Sequence, residues 1–214
     1  MNQQNTIHLH DGDLPPDLEL GSIVAIDTET MGLNPYRDRL CLVQLSSGDG
    51  TAHLVHIKPV SMGGKGYDCP NLKTLLTNRS ISKIMHYARF DVAVLQHNLN
   101  ITLSSIICTK IAARLIYTFT ERHGLAYLCR ELLNVDINKR QQSSDWGGEK
   151  LTEDQLRYAA SDVLYLHALW HKLEAMLIRE GRQELAQACF DFLPARAQLD
   201  LLGYRDPDIF SHRA

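Results

Sequence analysis

The sequence predicts an α/β protein in which a mixed sheet is flanked by helices. Two observations carry that expectation. Three apolar, β-rich runs follow one another across short turn signals, and beyond a glycine-rich stretch the pattern changes to alternating strands and helices.

Ser22–Asp27 (SIVAID) and Leu40–Ser46 (LCLVQLS) read as buried strands, and Thr51–His56 (TAHLVH) alternates. Asn34-Pro35 and Gly48-Asp49-Gly50 supply turns between them, which makes an antiparallel meander. Ser61–Pro70 (SMGGKGYDCP) is a surface loop by its glycines. A helix near Asn71–Thr77 then leads to a strand at Ser82–His86, and a helix from about Phe90 to Asn98 precedes a short strand near Ser104–Ile107, which feeds a helix through Leu115. From Thr152 the period is helical, with Leu156, Ala160, Val163, Leu164, Leu166, His167 and Trp170 on one face. Thr152 and Gln155 have the spacing of a capping box. A further helix is expected from Arg182 to about Phe192, and Pro194 is expected to open another that ends at Gly203.

The chain has 214 residues, no internal repeat and no linker, and its 44% hydrophobic content is enough for one sizeable core. One domain over 1–214 is expected, with its core at about 21–180 and a C-terminal helical segment at about 182–214. Five scattered cysteines without a Cys-x-x-Cys pair read as reduced thiols. The opening MNQQNTIHLHDGD lacks the layout of a signal peptide, and no apolar run is long enough to span a bilayer, so a cytoplasmic protein is expected. The net charge is −3, from 22 basic and 25 acidic residues. That balance argues against a grip on long duplexes by phosphate neutralisation and favours a few local contacts at one end of a substrate.

The chemistry gathers in acidic residues. Asp27 and Glu29 are two apart on an extended chain, so both side chains point the same way. A lone Asp-x-Glu is usually a solvated strand end. Asp91, in HYARFD, sits where a strand hands over to a helix, and Asp162, in YAASD, follows Tyr158 by one helical turn. Like charges brought together need a cation between them. Hard oxygen ligands without Cys or His partners favour Mg²⁺ or Mn²⁺ over Zn²⁺.

These residues, in the stretches AIDTETMGLNPYRDRLCLVQLS, KIMHYARFDVAVL, CTKIAARL and SSDWGGEKLTEDQLRYAASDVLYL, resemble the tyrosine-bearing branch of the DEDD exonucleases, and specifically the ribonuclease D family. The likeness runs from about Gly21 to Trp170. It implies a ribonuclease H-like mixed five-stranded sheet. QQSSDWG and the tail FLPARAQLDLLGYRDPDIF are similar to the short nanoRNase C-type oligoribonucleases, and Gly148-Glu149-Lys150-Leu151 departs from the Arg-Pro-Leu run of ribonuclease D. The resemblance implies hydrolysis with two divalent cations: Asp27 bridges both, Glu29 and Asp162 hold the one that activates water, Asp91 holds the second through water, and Tyr158 orients the attacking water. It implies 3′-to-5′ degradation of short single-stranded RNA, dinucleotides included, by a homo-oligomer, an octameric ring, with Phe192–Phe210 as an interface.

By the same resemblance, Thr28, Thr30 and Leu33 meet the terminal nucleotide, although loop packing accounts for Leu33 equally well. His86 and Arg89 flank Asp91 within reach of a phosphate, and Tyr87 stands where polymerase-type relatives carry Asn. Basic candidates for a 5′-phosphate contact are Lys83, Arg114, Arg122, His123, Lys139 and Arg140, among which the sequence does not choose. His167 and His171 have metal-ligand spacing but lack the Glu of an HExxH motif, and Trp170 reads as core. Two other readings stand beside this one: a broader exonuclease on longer RNA or DNA, and a catalytically silent nucleic-acid scaffold.

Overall fold

The computed structural model describes residues 5–137, 141, 143–206 and 208–212. The meander forms as expected. Strand β1 (Thr6–Asp11) precedes it, and β2 (Ile23–Thr30), β3 (Leu40–Ser46) and β4 (Thr51–His56) pair antiparallel in sequence order. β2 outlasts the expected strand by three residues, so Asp27, Thr28 and Glu29 lie within its ladder and not at its end. The turns behave as their residues dictate. The Asn34 Oδ1 accepts the Tyr36 and Arg37 amides, and Gly48 takes the left-handed φ of +82° that the β3–β4 hairpin requires.

The sheet has six strands, not five, in the order β1-β4-β3-β2-β5-β6. The additional member is β1, which runs parallel to β4 with Thr6 beside Thr51 and Asp11 beside His56. Its Ile7 and Leu9 alternate with His8 and His10, a pattern too short to predict a strand alone; β4 supplies the ladder it needs. On the other side β5 (Ser82–Met85) and β6 (Ile106–Cys108) extend the sheet in parallel.

The helices are α1 (Pro70–Thr77), α2 (Ala88–Leu99), α3 (Thr109–Ile116), α4 (Leu125–Leu133), α5 (Glu153–Leu164), α6 (Leu166–Arg179) and α7 (Gln183–Leu201). Three differ from expectation. α4 is additional. The single helix expected from Thr152 breaks at Tyr165, because α5 lies on β2, β3 and β4 whereas α6 turns to meet α3 and α4. Pro194 opens no new helix; it lies inside α7, which is held across the proline by packing on α2, with Phe190, Leu193 and Ala197 buried. The Thr152–Gln155 capping box is present in both directions. Four of the five free cysteines are buried, and burial pushes the Cys41 and Cys69 thiols up to about 11, which leaves them unreactive. Among the described residues no helix is long and apolar enough to cross a membrane.

Candidate active site

Successive side chains of a strand point to opposite faces, and this alternation sorts the residues of β2. Asp27 and Glu29 face α5, where Asp162 projects toward them, and one ligand oxygen from each of the three carboxylates lies within 4.8 Å of the others. Thr28 faces the opposite way and donates its hydroxyl to Asp91 Oδ1 at 2.7 Å. Asp91 sits in the first turn of α2 and is buried. Four acids from three distant stretches thus surround one strand segment.

Their ionisation reflects the crowding. Burial first, then the charges of Asp162 and Asp91, pushes the Glu29 carboxyl up to about 9. Asp27 is raised well above the usual range by burial and then by Asp91, Asp162 and Glu29. Burial takes Asp91 up to about 7, even though the Thr28 hydroxyl stabilises its anion. No lysine or arginine is among the groups shifting these three acids. A close set of carboxylate oxygens whose burial and mutual repulsion raise their pKa values fits a divalent cation with hard-oxygen preference, so the donor set suits Mg²⁺ or Mn²⁺.

Tyr158 lies one turn before Asp162 on α5 and is hydrogen-bonded to it. Burial, then the neighbouring carboxylates, raises its phenol far above the ordinary value, so the hydroxyl stays protonated. The Trp146 ring packs beside it with centroids 6.0 Å apart.

The family model for 3′-5′ exonucleases matches residues 14–178. The chain belongs to the 3′-5′ exonuclease family. Within it the chain is 35% identical to the ribonuclease D of Haemophilus influenzae over 158 residues, 74% of this chain and 38% of that protein. The chain therefore spans about two-fifths of the length of the curated relatives it matches. Two structures of Brucella melitensis NrnC are similar along nearly the whole chain. The one bound to pGG has a TM-score of 0.92 at 52% identity, covering 98% of this chain and 100% of that one. The one with bound Mg²⁺ has a TM-score of 0.90 at 52% identity, covering 97% and 100%.

Around the carboxylates the other expected residues fall into place unevenly. Leu33 is 78% exposed. The Thr30 hydroxyl donates to the Gly32 carbonyl, and His86 Nδ1 is 2.9 Å from the Thr109 hydroxyl. Thr28, expected at the substrate, is buried against Asp91. Arg89 gives its fork to Asp200, with Nε and Nη2 each 2.6 Å from a carboxylate oxygen, and Arg196 donates to the same Asp200 at 2.8 Å. Such a bidentate pair ties α2 to α7 and occupies the donors a phosphate would need.

Two of the basic candidates are corrected outright. Lys83 is fully buried, donates to the Asn78 and Ile81 carbonyls at 2.8 Å, and is pushed down to about 8 by burial. His123 is buried, with Nε2 donating to the Tyr117 carbonyl at 2.9 Å. Arg114 lies 3.8 Å from Glu121, and Arg122 lies over the Tyr127 ring. Lys139 and Arg140 lie outside the described residues. His167 donates to the Ile23 carbonyl, and Trp170 packs on Phe190, so neither departs from its structural reading.

Gln44 was not singled out from the sequence. It sits opposite Asp27 on β3, fully buried, with Nε2 donating to Asp27 Oδ2 at 3.2 Å. Its signal was legible: LCLVQLS is a wholly buried strand carrying one large polar side chain, and buried amides need partners.

Proposed function

We propose that the protein is a metal-dependent 3′-5′ exoribonuclease that degrades short RNA oligonucleotides, dinucleotides included, to nucleoside 5′-monophosphates. The observation that carries this reading is the convergence of Asp27, Glu29 and Asp162, one carboxylate oxygen from each lying within 4.8 Å of the others. In it, Asp27, Glu29, Asp162 and Asp91 hold two divalent cations, Mg²⁺ or Mn²⁺. Ions of this kind lower the pKa of water and offset the charge that builds on a leaving oxygen.

The chain's own groups do the rest. Tyr158, kept protonated, offers a hydrogen-bond donor that orients the attacking water; it is no general base. Gln44 and Thr28 fix Asp27 and Asp91 from behind through their side-chain donors. Leu33, an apolar side chain left in solvent, is suited to pack against a base of the terminal nucleotide. Thr30 and His86 lie near enough in sequence to the acids to contact the sugar and phosphate. Arg89 reaches a phosphate only by releasing Asp200.

The preference for short substrates draws support from the structural likeness to NrnC bound to pGG, and the metal from the likeness to NrnC with bound Mg²⁺. The proposed assembly is a homo-oligomer, an octameric ring, built in part through the C-terminal segment. The test is a length series. End-labelled RNA from dinucleotides to long single strands, with DNA of matched lengths, is digested in Mg²⁺ or Mn²⁺. Preferential loss of the shortest RNAs is expected. Indifference to length or sugar would replace this reading with a broad exonuclease, and no cleavage at all would favour a binding scaffold.

A further inference from the structure

Three imidazoles gather at the far edge of the sheet. β1 and β4 run parallel with His8 directly beside His53, and His10, two residues on, shares the face of His8. The row Asp27–Gln44–Leu54–Leu9 runs across the strands on the carboxylate face. His8, His10 and His53 occupy the alternate positions and so project from the opposite face. We propose that His8, His10 and His53 form a second metal site, for one borderline transition ion such as Zn²⁺, that fastens the edge strand β1 to β4.

Two of the three spacings match a tris-imidazole site; the rings are stacked and the His8–His10 pair is wider, so the three ligand nitrogens converge only when His8 turns. Ring centroids are 5.1 Å apart for His8–His53, 5.3 Å for His10–His53 and 6.4 Å for His8–His10. Around a tetrahedral ion with Zn–N bonds of 2.0–2.1 Å, three imidazole centroids lie about 5 Å from one another. His53 is buried and forms the fixed corner. His10 Nε2 faces His53 Nδ1 at 3.0 Å, so the two nitrogens share one proton. An ion takes the place of that proton once the rings turn, and the exposed His8 ring swings in as third ligand.

The ligands are in the right state as well. Burial, then the neighbouring imidazoles, holds His10 and His53 below the usual histidine range, so each keeps a lone pair near neutrality. Asp49 opposes that shift at His53 without reversing it. Imidazole suits Zn²⁺, Cu²⁺ and Ni²⁺, whereas the carboxylates across the sheet suit Mg²⁺ and Mn²⁺. The two sites therefore select different ions, and this one does not rest on the nuclease reading. Its structural consequence follows from topology: β1 has a single neighbour in the sheet, and a shared ion adds a second attachment.

Co²⁺ titration of the full chain tests this, because four-coordinate Co²⁺ has strong visible ligand-field bands and six-coordinate Co²⁺ weak ones. One equivalent is expected to give the strong bands, displaced by one equivalent of Zn²⁺ and retained in Asp162→Asn. Each of His8→Gln, His10→Gln and His53→Gln should weaken binding beyond the roughly 10- to 100-fold caused by losing an outer partner alone. His8 is exposed, so that variant folds whatever the fate of the buried one. Only weak bands, bands lost in Asp162→Asn, or a complex that tolerates replacement of any one histidine would overturn the site.

Discussion

Tyr158 is held as a phenol by its surroundings, which fixes what it can do. Burial, then three carboxylates nearby, raises its pKa above that of an ordinary phenol, so its proton is retained near neutral pH. Tyr158→Phe should therefore bind Mg²⁺ and RNA but lose turnover on the order of 10²-fold, the scale of a misplaced reactant. Steady-state rates alongside Mg²⁺-dependent melting check this, and unchanged turnover would remove Tyr158 from the mechanism. The carboxylates make a second prediction through linkage. Glu29 at about 9, Asp91 at about 7 and a raised Asp27 compare with unfolded values near 4. Across that window the folded chain keeps protons that the unfolded chain has released, so metal-free stability falls as pH rises from about 4 toward 9. Bound cations replace those protons. The Mg²⁺-induced rise in melting temperature should thus be larger at about pH 8 than at about pH 5.5. Equal rises at both would show that the acids are not neutralised by a shared ion.

At the scale of elements, α5 matters most, since it delivers both Tyr158 and Asp162. Its start is fixed by Thr152, whose hydroxyl accepts the Gln155 amide at 3.2 Å, while the Gln155 side chain accepts the Thr152 amide at 2.9 Å. Gln155 also donates to the Asp145 carbonyl, tethering the turn that carries Trp146. Thr152→Ala should cost about 1 kcal/mol, read as a lower urea midpoint; an unchanged midpoint would mean the cap adds nothing. This element was legible because capping is local chemistry. β3 and β4 were legible for the same reason, as apolar runs bounded by turn residues. The break at Tyr165 and the passage of α7 through Pro194 were not, because neighbouring helices decide them. Tyr87 is a subtler case. It precedes α2 at a left-handed φ of 67°, a conformation that Asn adopts far more readily than an aromatic residue. Strained positions of this kind cluster at functional sites, and this one directly adjoins the helix that holds Asp91.

At the scale of the whole molecule, the C-terminal segment leaves apolar side chains in solvent. Phe192 packs edge-on against Phe210, yet Leu202 remains 74% exposed and Phe210 70%. If this surface joins copies of the chain, Leu202→Ser with Phe210→Ser should lower the mass measured by light scattering. The fold itself should change by only about 0.5 kcal/mol, as for other surface positions. An unchanged mass would place the interface elsewhere. The sequence by itself determined the meander and the alternation that follows it, because strand periodicity and turn chemistry are properties of short segments; it singled out the four acids only through their joint order and spacing in stretches that resemble a nuclease family. Only the tertiary structure decided that β1 joins the sheet, that Gln44 and Thr28 back Asp27 and Asp91, and that Arg89 belongs to Asp200 and Lys83 to two carbonyls. Each of those outcomes depends on a partner far away in the chain, and a side chain's charge or polarity does not say which partner folding will bring to it.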